Sequence, residues 1–132
     1  MTREPLEIVR RMWVLLREGG PDAALEVVAP DAVFVAADGQ RFDGHDGIRA
    51  FFASFDARDE RFIAAPFTFE PHGEGVLVAG HRRIADDEQT LLAEHLHFTY
   101  RTDGDGRIHD MRAFGDRDTA AAELARHRPP VR

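Results

Sequence analysis

Between residues 61 and 115 the chain is almost wholly strand-like, and the breaks in that run are too short to hold anything but turns. Four stretches, 61–71, 75–85, 90–102 and 107–115, are separated by Pro-His-Gly, Asp and Gly signals. A parallel crossover needs a dozen residues or more, so strands joined this closely pair antiparallel with their neighbours in sequence. A meander of four long strands is half of a sheet-based domain, and the remaining residues must cover it.

Before the meander the periodicity is helical. Pro5 opens a segment in which Leu6, Val9, Trp13 and Leu16 recur every three or four residues, and Gly19-Gly20 closes it. Pro21-Asp22 starts a shorter helix carrying Leu25 and Val28, which Pro30 is expected to end. Residues 33–35 read as a strand turned at Asp38-Gly39 onto 40–42, and a third helix presents Ile48, Phe51, Phe52 and Phe55 on one broad face. After the meander, Asp116 or Asp118 caps an Ala-rich helix, and 126–132 reads as a frayed basic tail. The fold class is therefore α+β: a curved antiparallel sheet packed on three helices around an apolar pocket, plus a short C-terminal helix. At 132 residues one domain, 1–132, accounts for the whole chain.

Composition narrows the chemistry. There is no cysteine and no lysine, since all 17 basic residues are arginine, and Ser54 is the sole serine. Disulfides, thiolate nucleophiles, Schiff bases and a lysine-bearing phosphate loop are excluded. The net charge of −7, with scattered arginines, argues against nucleic acid as a partner. No apolar run approaches the ~20 residues that span a bilayer, so no membrane association and a cytoplasmic location are expected. Histidines, carboxylates, arginines and Tyr100 remain, which suits proton transfer without a cofactor.

Pairing arithmetic assigns faces. If 86–89 is a turn, partners across the second and third strands sum to about 175, and His81 faces Glu94. If 103–106 is a turn, the next pair sums to about 209, setting Phe98 opposite Met111, Leu96 opposite Ala113 and Tyr100 opposite His109. One face then collects Leu77, Ala79, His81, Leu92, Glu94, Leu96, Phe98, Tyr100, His109, Met111 and Ala113, and it should face the helices. The other collects His95, His97, Thr99 and Arg101, a polar surface suited to homodimerisation.

On this reading His81 and Glu94 are polar exceptions on a buried face, available as a general acid and base, with Arg83 two residues along to hold an anionic oxygen. Trp13, Phe34, Phe52, Leu96, Phe98, Tyr100, His109 and Met111 would line the pocket and bind a small apolar molecule. The rival to catalysis by His81, Glu94 and Arg83 is a rim ion pair in a domain that only binds. His95-x-His97 has the spacing of strand metal ligands, yet two ligands do not make a site, and no metal is expected. A register shifted by one would instead turn His95 and His97 into the pocket.

The order helix, short helix, strand, Asp-Gly-Gln-x-Phe-x-Gly-x-x-x-Ile-x-x-Phe-Phe, then four long strands resembles the nuclear transport factor 2-like superfamily, and in particular its SnoaL-like domains. The likeness is carried by Ala29 to Val33, by Phe42 to Phe52, and by Gly106-Arg107-Ile108 running to Phe114. It implies a cone-shaped sheet with helices over its open side, a homodimer, and a polyketide cyclase-like or isomerase-like reaction on an apolar carbonyl or polyketide-like substrate. A non-catalytic ligand-binding or dimerisation domain is the alternative. Two better-known chemistries of the superfamily are disfavoured residue by residue. The general-base aspartate of ketosteroid isomerases aligns with Ala36, their oxyanion-binding tyrosine with Trp13 and their second aspartate with Phe98. The last-strand aspartate of limonene epoxide hydrolases aligns with Ala113.

Overall fold

The computed structural model describes residues 4–56, 61–72, 75–85 and 90–126. Helix α1 (Pro5–Ala24) takes both helical segments of the N-terminus in one element, kinked where Gly20 adopts φ 82° and ψ −174°. That backbone region is open to glycine at little cost. A single 3₁₀ turn (Leu25–Val27) leads into β1 (Val28–Val35), followed by β2 (Arg41–Asp43) and α2 (Gly44–Asp56). Strands β3 (Arg61–His72), β4 (Gly75–Ala85), β5 (Thr90–Thr102) and β6 (Ile108–Phe114) form the meander, and α3 (Arg117–Arg126) closes the described chain.

The six strands lie in the order β2-β1-β6-β5-β4-β3. Four of the five pairings join strands adjacent in sequence and run antiparallel, but β1 lies parallel to β6, so the sheet is mixed rather than purely antiparallel. Three prolines fit because of where they fall. Pro30 stands in β1 inside the stretch where the β1–β6 register is interrupted, between Val28 and Val33, and so begins no helix end but a gap in the ladder. Pro66 and Pro71 stand in β3, an outermost strand, and Pro66 adjoins the irregularity before Thr68. Gly44 starts α2 at φ 69° with the Pro30 carbonyl 3.1 Å from where a Cβ would sit, so a side chain here is opposed by both conformation and space. His45 is half-buried, and its Nε2 donates to the Val28 carbonyl at 2.8 Å, tying α2 to the start of β1.

One face of the sheet, here called inner, carries Val76, Val78, Leu96, Phe98, Tyr100, Met111 and Ala113 into a core with Ile8, Val9, Met12 and Trp13 of α1. The other, outer face is partly covered by α3, whose Ala120 and Leu124 pack on Leu77. Arg101 is buried beneath it, donating from Nη2 to the carbonyls of Glu123 (2.9 Å) and Leu124 (3.4 Å). These are among the last four carbonyls of a helix, which have no partner within it. Desolvation lowers the Arg101 pKa, opposed by the Asp110 carboxylate directly across the ladder. Asp116 supplies the cap, accepting from the Thr119 backbone N–H at 2.9 Å and its hydroxyl at 3.0 Å, which holds its carboxyl below the usual range. Thr99 and Arg101 are thus spent inside the chain, and the polar surface expected to pair two copies is reduced to its histidine end.

Two register findings correct the pairing arithmetic. Ala85 does pair with Thr90, as a turn at 86–89 requires, but Ile84 then pairs with Leu92, leaving one extra residue on β5. Such a bulge moves every later pair by one and exchanges the faces of one strand against the other. His81 therefore stands opposite His95, and Glu94 opposite Arg82. In β5–β6 the displacement is two residues, which preserves the faces: Tyr100 pairs with Met111 and Phe98 with Ala113. His109 is the unpaired residue between Arg101↔Asp110 and Thr102↔Ile108 and does not meet Tyr100.

Candidate ligand cavity

An apolar cavity of about 70 Å³ lies between the inner face, α1 and α2. Its floor is Phe98 and Tyr100 of β5 with Met111 of β6, residues that alternation brings to one side of the sheet. Helix α1 contributes the adjacent Met12 and Trp13 with Leu16 one turn further on, and beyond the Gly20 kink Pro21 and Ala24. Helix α2 contributes Ile48, Phe51 and Phe52, with Leu25, Val28 and Phe34 completing the wall. The rings interlock edge to face: Trp13 and Phe98 have centroids 5.6 Å apart at 68°, and Phe51 meets Phe34, Phe42, Phe52 and Phe55 within 5.3 Å. Stiff aromatic rings pack at fixed geometries and leave the gap between them unfilled.

Two polar groups sit in this wall. The Trp13 side chain is buried, with 7% of the residue exposed, and its Nε1–H meets no acceptor at hydrogen-bond distance and angle. Tyr100 is 4% exposed, and burial pushes its phenol well above the ordinary value, a shift that the nearby Trp13 N–H only partly offsets. Tyr100 thus stays a neutral O–H across the physiological range and serves as a donor, not a base. A buried donor without a partner costs free energy on the order of 1–3 kcal/mol. Trp13 would recover it by donating to an acceptor atom on a ligand, which the neighbouring Tyr100 hydroxyl could share.

Of the residues expected at the pocket, Trp13, Phe34, Phe52, Phe98, Tyr100 and Met111 line the cavity. Leu96 is buried in the core behind the wall, 1% exposed, and the half-buried His109 is displaced by its bulge. Of the residues expected to act on a substrate, His81 is the one whose side chain the structure describes. His81 is exposed and follows the phase of Leu77, whose side chain lies under α3 on the outer face. The side chains of Glu94 and Arg83 lie outside the described residues; in the backbone register, Arg83 pairs with Ala93. As pocket residues, sequence reasoning passed over Met12, Leu16, Pro21, Ala24, Leu25, Val28, Ile48 and Phe51, although Leu16 shares the helical spacing of Trp13 and the two α2 residues that of Phe52.

The sequence over residues 9–114 matches the SnoaL-like domain model, and the chain belongs to that family. Solved structures of similar fold include an NTF2-like protein of unknown function from Burkholderia pseudomallei (22% identity, TM-score 0.71, covering 92% of this chain and 96% of that one). They also include RV0760c from Mycobacterium tuberculosis in complex with estradiol-17beta-hemisuccinate (21%, 0.72, 88% and 97%). A third is an epoxide hydrolase of the LEH-like type from M. tuberculosis (18%, 0.71, 95% and 92%). No curated protein matches the chain. No helix among the described residues is long and apolar enough to cross a membrane.

Proposed function

We propose that the chain binds a small, ring-bearing, largely apolar molecule in the cavity, with one acceptor oxygen of the ligand taking the Trp13 N–H and the Tyr100 O–H. The observation that carries this reading is the pair of buried donors in an otherwise apolar wall. The complex of RV0760c with estradiol-17beta-hemisuccinate supports it, as a ligand with fused rings held by a similar fold. A cavity that admits benzene has a volume of about 150 Å³, so at about 70 Å³ this one must widen even for a single ring.

Proton transfer on an apolar carbonyl or polyketide-like substrate by His81, Glu94 and Arg83 is the less favoured reading. Among the described residues the cavity wall offers two donors and no carboxylate or imidazole. Binding without turnover needs neither.

Trp13 is the only tryptophan, so its fluorescence reports the cavity directly. Titration with acetophenone and with estradiol-17beta-hemisuccinate is expected to change that signal saturably. Tyr100→Phe should weaken binding by roughly 2- to 10-fold, the value of one neutral hydrogen bond. Ala24→Leu should fill the gap and abolish binding at a stability cost of no more than about 1–3 kcal/mol. Unsaturable signals with both compounds, or full affinity in Ala24→Leu, would refute the cavity as the site.

A further inference from the structure

The cavity is smaller than a single ring, so part of its wall has to give way when a ligand enters. The floor is held in place, because Phe98, Tyr100 and Met111 stand on β5 and β6, whose backbones pair with each other. What can part is the pair of helices above it. Leu16, Pro21, Phe34 and Phe52 are half-buried, while the other lining residues are buried. Three of those four belong to α1 and α2, which makes the seam between these helices the mouth of the cavity.

An ion pair crosses that seam. Arg49 of α2 donates from Nε to Asp22 Oδ1 of α1 at 2.8 Å. Each residue adjoins the lining in sequence: Asp22 follows Pro21, and Arg49 follows Ile48. We propose that the Asp22–Arg49 pair is a latch over the cavity mouth, which releases before a ligand enters or leaves. It rests on the cavity being the binding site.

The local backbone gives the latch something to hold. Asp22 lies in the turn Pro21 to Ala24, beyond Gly20, where the chain departs from helical geometry at φ 82° and ψ −174°. Pro21 has no N–H with which to bond back to the body of the helix. On the other side, Asp46 of α2 accepts from Arg49 Nη1 at 3.3 Å and steadies the guanidinium from within its own helix. The planar fork of arginine allows both contacts at once. The latch is also made to release. The Arg49 and Asp22 side chains are 49% and 80% exposed, and an exposed pair, screened by water and salt, holds only weakly. A pair that must break in every binding event belongs at the surface, since a buried one would strand a charge each time it opened.

The Trp13 indole N–H tests the latch without a ligand. It is buried, meets no acceptor and belongs to the sole tryptophan, so one nitrogen–proton resonance reports by its solvent exchange how often the cavity opens. Asp22→Asn and Arg49→Gln should each speed that exchange by about 1.5- to 5-fold, the range expected of an exposed ion pair. Raising NaCl from about 20 mM to about 1 M should do the same in the unaltered chain and little in either variant. Asp46→Asn makes the same change of charge as Asp22→Asn but cuts a contact within α2, and should leave the exchange as it was. In stopped flow with acetophenone, association and dissociation should accelerate together in both latch variants at unchanged Kd, because the latch is closed in the free and the bound chain alike. Indole exchange unchanged in both variants would overturn the latch. So would indole exchange as slow as that of the Tyr100 backbone amide, which would mean that water arrives only on global unfolding. Exchange that follows the variants while acetophenone and estradiol-17beta-hemisuccinate both fail to bind would uphold the opening of the mouth and refute the binding reading instead.

Discussion

Phe98 and Tyr100 meet α1 through rings, while Arg101, the next residue on β5, meets α3 through a charged side chain that ends the helix. The difference follows from what covers each face. Two helices with broad apolar stripes can roof the inner face, and large rings fill the distance between helix and sheet except for one gap. The outer face has one short helix of ten residues with small side chains, Ala120 and Ala121 among them, so it lies close and is held by Arg101 reaching its unpaired carbonyls. A sheet can thus bury one side by volume and the other by hydrogen bonding, using alternate residues of the same strand.

The contrast is open to attack at three points. Phe98→Ala should cost about 3–5 kcal/mol in chemical denaturation, since it deletes a ring from the cavity floor and enlarges an existing void. A loss below 1 kcal/mol, roughly, would show that packing is not what closes the inner face. Arg101→Ala should cost less, about 1.5–3 kcal/mol, the value of hydrogen bonds from a charged donor, and should raise amide exchange selectively in α3. Arg101→Lys should restore little of it, because a single ammonium does not reproduce the planar fork that reaches two carbonyls. Uniform exchange across the molecule would separate α3 from the role given to Arg101.

The smallest effect below neutral pH, and the sharpest above it, belongs to Tyr100. Its folded pKa is raised above the ordinary value of about 10, so the unfolded chain loses its phenolic proton first. The stability it contributes is complete below pH ~10 and declines as pH rises beyond that, toward the folded value. As Tyr100 is the sole tyrosine, tyrosinate absorbance should stay absent at pH 11 while the chain is folded and appear together with unfolding. Free titration near pH 10 in the folded chain would place the hydroxyl in water instead of in the cavity wall.

Much of this architecture is legible in the residues. The strand stretches at 75–85 and 90–102 coincide with β4 and β5 to the residue, because the turn signals around them are dense and unambiguous. The inner phase of β5 and β6 is equally plain, since Leu96, Phe98, Tyr100, Met111 and Ala113 are apolar at every second position. The phase of β4 is not: Val76, Leu77, Val78 and Ala79 are apolar on both sides, and both sides are covered in the fold. Nothing in that run could reveal the extra residue between Ile84↔Leu92 and Ala85↔Thr90, and a turn-based count carried the error through to His81. The seat of α3 was hidden for a different reason. Its stripe is only Ala120 and Leu124, and the cue to where it rests was Arg101, an arginine amid a strand buried on both faces.

The two ends of the sheet also matter for how copies of this chain behave when crowded. An uncovered strand invites an extended segment of another molecule to continue the ladder, which is a route to aggregates. At one end β2 is three residues long and leaves little to extend. At the other, β3 is twelve residues long, but Pro66 and Pro71 withhold two amide protons from it. Replacing both prolines with valine would keep the fold and hand a neighbouring molecule a template it now lacks.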